Sequence, residues 1–568
     1  MVYSTSNCLH GLLSLFLPEI SMTKILLQDI DHTAVRRPSF DAVIIGAGFA
    51  GLYMLHRLRR LGMTVRVYER GEGVGGTWYW NRYPGARCDT ESMTYSYSFS
   101  DELEQAWQWT ERYAPQPELL GYANHVADRF DLRRDIQFGT AVRSAIFDEA
   151  GQCWDIVTAS GEQTSARFCI SAVGCLSAAT LPEFPGLQDF KGEWYHTGAW
   201  PHTPVSFAGK RVGIIGTGSS GVQSTIAIAP EAAHLHVFQR TANYSIPAWN
   251  GPLVPAQVAQ TKANYKALRE AARYSQIGIP FESCDKSAKL VPADERERDY
   301  EAAWADGGFN FVMAYPDLLT DIESNRTASD FVERKIRAVV KDPTVAALLT
   351  PKDLPLGTKR LCVDTGYYET FNRDNVTLVD IRTTPIEAIT AEGVRTSEAS
   401  YPLDVIIFAT GFDAITGPLL KMDIQGRDGQ RLADKWEEGP RTYLGVASAG
   451  FPNLFMITGP GSPCVLSNML ASIEQHVEWI AECIAHLHTQ GIATIEPLME
   501  AEDAWVKTVH EVGHTTLYPL VESWYTGTNI QGKVRMFTPY AGGVGTYRRI
   551  CEAVAENDYD GFKLASAN

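Results

Sequence analysis

The sequence predicts an α/β fold of two βαβ units with a helical insertion in the second, and three observations lead there. Two glycine fingerprints, Gly46-Ala-Gly-Phe-Ala-Gly51 and Gly216-Thr-Gly-Ser-Ser-Gly221, each follow a short apolar strand and open a helical stretch. Each is followed by a further strand, which completes a unit of the Rossmann-like, dinucleotide-binding kind. Between about residues 250 and 350 the chain changes to charged, helix-favouring stretches.

At 568 residues the chain is too long for one compact core. A hydrophobic share of 45% and a charged share of 21% describe an ordinary globular protein. The formal charge of -17 argues against a nucleic-acid or anionic-membrane partner, because phosphates repel an excess of carboxylates. Its ten cysteines form no C-x-x-C pair and no Cys/His cluster at zinc spacing, which suits a reducing cytoplasm and gives no metal site. Leu12 to Leu17 is apolar but too short to span a bilayer, and Met22 is an alternative initiator, so residues 1–38 read as an extension. No other stretch is long and apolar enough to cross a membrane. The expected organisation is a first unit over 39–175, a second over 176–403 carrying the insertion at about 250–350, and a return to the first over 404–568.

In the first unit, Asp41 to Ile45 is a β-branched strand, Ala50 to Leu61 a helix, and Val65 to Tyr68 the next strand, ending at Glu69. Gly46, Gly48 and Gly51 permit a tight turn, close approach of backbone N–H groups to a pyrophosphate, and helix-on-strand packing. Glu69 stands where a carboxylate accepts the ribose hydroxyls of an adenosine, and FAD is the expected ligand of such an N-terminal unit. Phe168 to Val173 and Asp404 to Phe408 are apolar strands running into A-V-G and A-T-G, and they mark where the chain crosses between units.

The second unit starts with the strand Lys210 to Ile215. Its fingerprint loop and helix start supply Thr217, Gly218, Ser219, Ser220, Gly221, Val222 and Gln223 as cofactor contacts. After the strand Leu235 to Phe238 the chain gives Gln239-Arg240-Thr241, with no acid where NAD binding wants one. A guanidinium and a hydroxyl suit the 2'-phosphate of NADP. In the insertion, Tyr265 to Ala272, Glu297 to Ala305 and Ser329 to Val340 read as helices, with Glu333 and Arg337 an i,i+4 pair.

Between the two fingerprints, Phe190, Gly192, His196, Trp200 and Pro201 occupy every position of the pattern F-x-G-x-x-x-H-x-x-x-W-P. Gly76 to Asp89 fits a second pattern, G-x-W-x-x-x-x-Y-P-G-x-x-x-D. From about residue 40 to its end the sequence thus resembles the type I Baeyer-Villiger flavin monooxygenases. The resemblance implies FAD and NADPH as cofactors, and O2 and a ketone, aromatic or cyclic, as substrates. The product is an ester or lactone, formed through a peroxide at flavin C4a.

The resemblance also implies roles. Gly75 and Gly76 bring backbone to the flavin, and Trp78 and Trp80 wall the reactive ring. Thr77, Tyr79, Arg87, Cys88, Asp89, Tyr95, Val142 and Met469 are further cofactor contacts. Lys359 reaches the NADP phosphate, and Arg360, with Asp89 as partner, is the catalytic cation. Trp524, in Ser523 to Gly527, lies over NADP. Gly459 to Met469 resembles the pocket segment of the phenylacetone and steroid monooxygenase type, with Cys464, Val465 and Leu466 lining the ketone site. His196 serves the hinge between units. A disulfide reductase lacks support, since Trp78 and a single Cys88 stand where it needs a cysteine pair. Oxidation of sulfur or nitrogen and a non-catalytic flavin redox sensor are the other readings, and turnover with NADPH and a ketone separates them.

Overall fold

The computed structural model describes residues 39–281 and 284–566, and the expectations for residues 1–38, including Leu12 to Leu17 and Met22, lie outside them. Strand Phe40–Ile45 pairs in parallel with Val65–Tyr68 on one side and Gln163–Ser171 on the other. The sheet continues past Val65–Tyr68 to Ile136–Gln137, and in the other direction through Cys153–Thr158 and Val142–Asp148 to Asp423–Gln425. Gln163–Ser171 divides its free edge: its first half pairs antiparallel with Cys153–Thr158, its last residues in parallel with Leu454–Met456. Ala42, Val43 and Ile44 are fully buried because both faces of this parallel core are covered. The helix Phe49–Arg60 buries Leu52, Leu55 and Leu58 against the sheet and the long helix Met469–Gln490. Arg57, Arg59 and Arg60 in its last turn complement its dipole.

The second sheet has five parallel strands in the order Val376–Asp380, His234–Gln239, Arg211–Ile215, Val405–Phe408, Glu193–His196. This corrects the expected boundary at 403/404. Val405–Phe408 is buried at every residue and lies between Arg211–Ile215 and Glu193–His196, so it belongs to the second sheet. A run of four apolar residues has no face to give to solvent, and the centre of a covered parallel sheet accommodates it. The return to the first sheet comes after Phe408, with Asp423–Gln425 and Leu454–Met456.

The insertion is helical, over Pro255–Ala263, Tyr265–Arg273, Ala293–Asp306, Ile322–Val339 and Pro343–Leu349. Arg337 meets Glu333 at 2.6 Å, as their spacing predicts. The helices divide between the two cores, a second correction. Tyr265 is buried in the first core, and Arg269 beside it donates to Glu104 at 2.8 Å and to Ser96 at 2.6 Å. Tyr300, Phe331 and Ile336 pack in the second core. Charge pattern and helix propensity carry no information about which core an amphipathic face meets. Among the described residues no helix is long and apolar enough to cross a membrane.

Candidate active site

The two fingerprints fold alike. Gly46 has φ +107°, and a Cβ there would lie 2.6 Å from the Ala172 carbonyl oxygen. Gly216 has φ +113°, with the Ala409 carbonyl oxygen 2.4 Å from such a Cβ. Ala172 and Ala409 are the alanines of A-V-G and A-T-G, so each crossing strand supplies the small residue against which a fingerprint turns. The third glycines are tighter still: a Cβ on Gly51 would sit 1.9 Å from the Gly46 oxygen, and one on Gly221 2.0 Å from the Gly216 oxygen. The helix caps Gly48 and Gly218 have no side chain, and neither first turn contains an acid. The backbone N–H groups at both helix starts are therefore open to an anion, and the two clefts fit a pyrophosphate each.

Glu69 is buried at the end of its strand. One carboxylate oxygen accepts the Ala47 N–H and the other the Gly71 N–H, both at 2.7 Å, which ties the carboxylate to the glycine loop. Burial raises its pKa, and these two N–H bonds act against that. Each oxygen keeps a lone pair for a ribose hydroxyl. Val142 lies near, two residues past Thr140, whose N–H bonds the Glu69 carbonyl at 2.8 Å.

Arg360 joins the Gly76–Asp89 segment to the pocket segment. Its Nε and Nη2 donate to the two Asp89 oxygens, each at 2.8 Å, in a bidentate pair. Its Nη1 donates to the Val465 carbonyl at 2.9 Å. Phe309 lies 4.6 Å from the guanidinium, with its ring face toward it. Burial pulls the pKa of Arg360 down, but the charge and hydrogen bonds of Asp89 outweigh it and the net shift is upward. The cation is permanent, two of its five N–H groups lie outside these three bonds, and the Tyr525 hydroxyl is hydrogen-bonded beside it. The aromatic wall is completed by Trp78, whose indole N–H donates to the Tyr95 hydroxyl at 3.3 Å.

Cys464, Val465, Leu466, Met469, Trp524 and Tyr525 pack in one apolar cluster with Cys175 and Phe537. The pocket segment and the Trp524 segment, some 60 residues apart in the chain, thus face Arg360 together. Trp524 and Tyr525 are 4.3 Å apart.

In the second cleft Thr217 donates to the Thr241 carbonyl at 2.9 Å, and Arg240 and Thr241 lie exposed at the strand end. The pKa of Lys359 is lowered, by burial and then by the charge of Arg240, so the two cations face one site. Buried Gln223 accepts from the Tyr83 hydroxyl at 2.8 Å and donates to the Arg87 carbonyl at 3.1 Å, joining the second fingerprint helix to the Gly76–Asp89 segment. Ser219 lies 3.8 Å from the Cys362 thiol, Val222 is buried in the second core, and Ser220 holds down the Tyr83 pKa that burial pushes up to about 12.

Several predicted residues stand apart from their expected roles. Trp80 is not against Trp78: its ring partners are Arg70, at 4.6 Å, and Tyr79, at 5.1 Å. Tyr79 itself accepts the Glu72 N–H at 3.0 Å and lies against His202, while Thr77 is exposed. The Arg87 side chain is committed to Glu111 at 3.0 Å and the Tyr113 carbonyl at 2.9 Å. Cys88 is buried, and burial raises its thiol pKa, so it is an unreactive neighbour of Asp89. His196 accepts the Gly198 N–H at 2.9 Å and lies 3.3 Å from the Thr410 hydroxyl, which links the fingerprint to the A-T-G crossing. Sequence reasoning missed Phe309 and Tyr525. Gly307-Gly308 before Phe309 is the only local signal: Gly308 has φ +62°, and a Cβ there would lie 2.2 Å from the Tyr113 hydroxyl.

Two glycine-lined anion clefts, with a fixed arginine beside an apolar cluster, define a flavoprotein oxidoreductase holding two dinucleotides. Residues 41–258 match the Flavin-binding monooxygenase-like family. A Baeyer-Villiger monooxygenase of Pseudooceanicola batsensis is 47% identical over 533 residues, covering 93% of this chain and 97% of its own. The phenazine N-monooxygenase PhzNO1 of Lysobacter antibioticus is 46% identical over 531 residues, covering 93% and 97%. Among solved structures, an oxidized steroid monooxygenase bound to NADP superposes with a TM-score of 0.90 at 54% identity, covering 93% of this chain and all of that one. The OTEMO complex with FAD and NADP gives a TM-score of 0.90 at 41% identity, covering 93% and 100%. The chain belongs to the Baeyer-Villiger flavin monooxygenases.

Proposed function

We propose that this enzyme uses FAD and NADPH to insert one oxygen atom of O2 beside the carbonyl of an aromatic or cyclic ketone, giving an ester or lactone. The observation that carries the proposal is the Arg360–Asp89 pair, bonded at 2.8 Å twice over and roofed by the apolar cluster of Val465, Tyr525 and Trp524. Bound FAD and NADPH supply the electron transfer and the activation of O2. The protein supplies placement, exclusion of water and fixed charge.

Arg360 holds a permanent positive charge where negative charge develops on oxygen, first on the attacking species and then on the former carbonyl oxygen. A preorganised donor costs no reorganisation at the moment of reaction. Asp89 orients the guanidinium in its plane and the Val465 carbonyl sets its tilt, so its free N–H groups keep one direction. Val465 and Leu466 exclude water and meet the ketone. Arg240, Thr241 and Lys359 receive the 2'-phosphate and select NADPH over NADH. Residues 39–175 with the chain beyond Phe408 serve the flavin, and 176–408, apart from the helix Tyr265–Arg273 that packs on the first core, serve NADP. The nine cysteines of the described residues form no disulfide with one another, which supports a cytoplasmic location.

A second reading has one specific support, the 46% identity to a phenazine N-monooxygenase. Oxygen transfer to an aromatic nitrogen needs the same two cofactor clefts but not an anion-stabilising arginine over a carbonyl carbon. Gas and liquid chromatography of one incubation series, holding NADPH, O2 and either a ketone panel or phenazine, tests both. Esters from ketones support the proposal; N-oxide from phenazine with no ester from any ketone overturns it.

A further inference from the structure

Below the ketone pocket lies a buried hydrogen-bond relay that the mechanism does not use. His476, in the helix Met469–Gln490, is fully buried. Its Nδ1 accepts the Thr458 backbone N–H at 2.9 Å, and its Nε2 lies 2.8 Å from the Tyr547 hydroxyl. That hydroxyl donates to the Leu444 carbonyl. Only one proton arrangement satisfies all three bonds: Nδ1 without a proton, Nε2 donating to Tyr547, and Tyr547 donating to Leu444. The ring is therefore neutral, and burial lowers its pKa to about 3, which keeps it so.

The two backbone groups at the ends of this relay are unusual. Leu444 and Thr458 both have φ +56°, the left-handed region that residues with a Cβ rarely occupy. Each is followed by a glycine that lets the two stretches touch: a Cβ on Gly459 would meet the Gly445 oxygen at 2.5 Å, and one on Gly445 the Ser462 nitrogen at 2.6 Å. Strain of this kind persists only where the surroundings over-determine it, and it gathers at functional sites. Here the surroundings include His476 and Tyr547, together with the Cys175 thiol, which donates to the Thr458 carbonyl at 3.3 Å. The stretch they fix runs from Thr458 through Ser462 into the turn Cys464–Leu466, where the Val465 carbonyl accepts a hydrogen bond from Arg360 Nη1.

We propose that His476 and Tyr547 are positioning residues for oxygen transfer: as one clamp they hold Leu444 and Thr458 in their strained conformations and thereby set the height of the Val465 carbonyl and of Arg360. The inference rests on the proposed function, since it is the ketone pocket that is being set. With the clamp loosened, the two electrons of NADPH still reach O2, but with the ketone misplaced the products are NADP+ and hydrogen peroxide, formed from NADPH, O2 and one proton, and no ester.

The test uses the FAD-loaded enzyme with a ketone that the unaltered protein converts, which separates this proposal from the function itself: if the unaltered protein converts no ketone, the functional reading fails before any variant is made. In His476→Leu the Thr458 N–H loses its acceptor. In His476→Asn an amide oxygen can take the place of Nδ1, and Tyr547→Phe removes the second link alone. His476→Leu is expected to keep its FAD content and its rate of flavin reduction by NADPH. Its ketone KM should rise by about tenfold or more, with most NADPH going to peroxide, within the roughly hundredfold loss that a misplacement of about 1 Å can cause. His476→Asn should recover most of the coupling, and Tyr547→Phe should fall between. Two results overturn the proposal: wild-type coupling and KM in His476→Leu, or loss of FAD and coupling together to the same degree in the leucine and asparagine variants. If the leucine variant does not fold, wild-type coupling in Tyr547→Phe overturns it.

Discussion

Replacing Arg360 separates charge from geometry at the reacting centre. In Arg360→Lys the cation remains, but a single ammonium cannot reproduce the two parallel bonds to Asp89, each 2.8 Å, together with the 2.9 Å bond to the Val465 carbonyl. Bonds of this charge-assisted kind are worth about 1.5–3 kcal/mol each and are not additive. In Arg360→Ala the cation goes as well, and loss of one preorganised donor alone costs roughly 10²- to 10³-fold in rate. Asp89 is then left without its partner. Its side chain is 21% exposed, so the penalty falls at or below the low end of the roughly 3–5 kcal/mol typical of unpairing a buried ion. Removing it too, in Arg360→Ala/Asp89→Ala, should restore part of the lost stability and none of the activity. Stopped-flow absorbance follows reduction of the flavin by NADPH, and chromatography follows ester. Both single variants should hold FAD, with oxygenation reduced in the lysine variant and nearly abolished in the alanine variant. A normal ester yield from Arg360→Ala would refute the reasoning and move the active site elsewhere.

Arg240→Ala should lose about 1.5–3 kcal/mol of NADPH binding, roughly ten- to a hundredfold in KM, and leave NADH little changed; equal weakening for both cofactors contradicts the 2'-phosphate assignment. Because burial and Arg240 lower the Lys359 pKa, its charge is lost as pH rises, and at a lower pH than for an ordinary lysine. The KM for NADPH should therefore climb on the alkaline side, and Lys359→Arg, which stays protonated, should flatten that climb in a pH series. Val465→Ala and Leu466→Ala should change the ratio of kcat/KM between ketones by about 1–3 kcal/mol while flavin reduction is kept; unchanged ratios across a ketone panel would take the segment out of the pocket.

What the sequence made legible was local chemistry. The fingerprints were readable because glycine spacing, the preceding strand and the following carboxylate or arginine all lie within about 30 residues of one another. Arg360 and Asp89 are 271 positions apart, and only the family pattern paired them. Contacts made across such distances leave no local trace. Phe309 reaches Arg360 from the helical insertion, and Tyr525 reaches the pocket from near the C-terminus. The apolar run Val405–Phe408 looks the same from sequence whether it closes the second sheet or opens the return to the first. For Trp78 and Trp80 the resemblance implies one wall, and the short helix over Thr77–Trp80 sends neighbouring rings in different directions. His476 and Tyr547 carry no motif, and their role appears only through the backbone strain they meet.

The most direct test of the central claim is a single turnover under labelled dioxygen. Purified protein loaded with FAD, given NADPH, an aromatic or cyclic ketone and 18O2, should form ester or lactone carrying one labelled oxygen, with ester formed and NADPH consumed in equal amounts. NADPH consumption with no ester, or ester without label, would contradict the account.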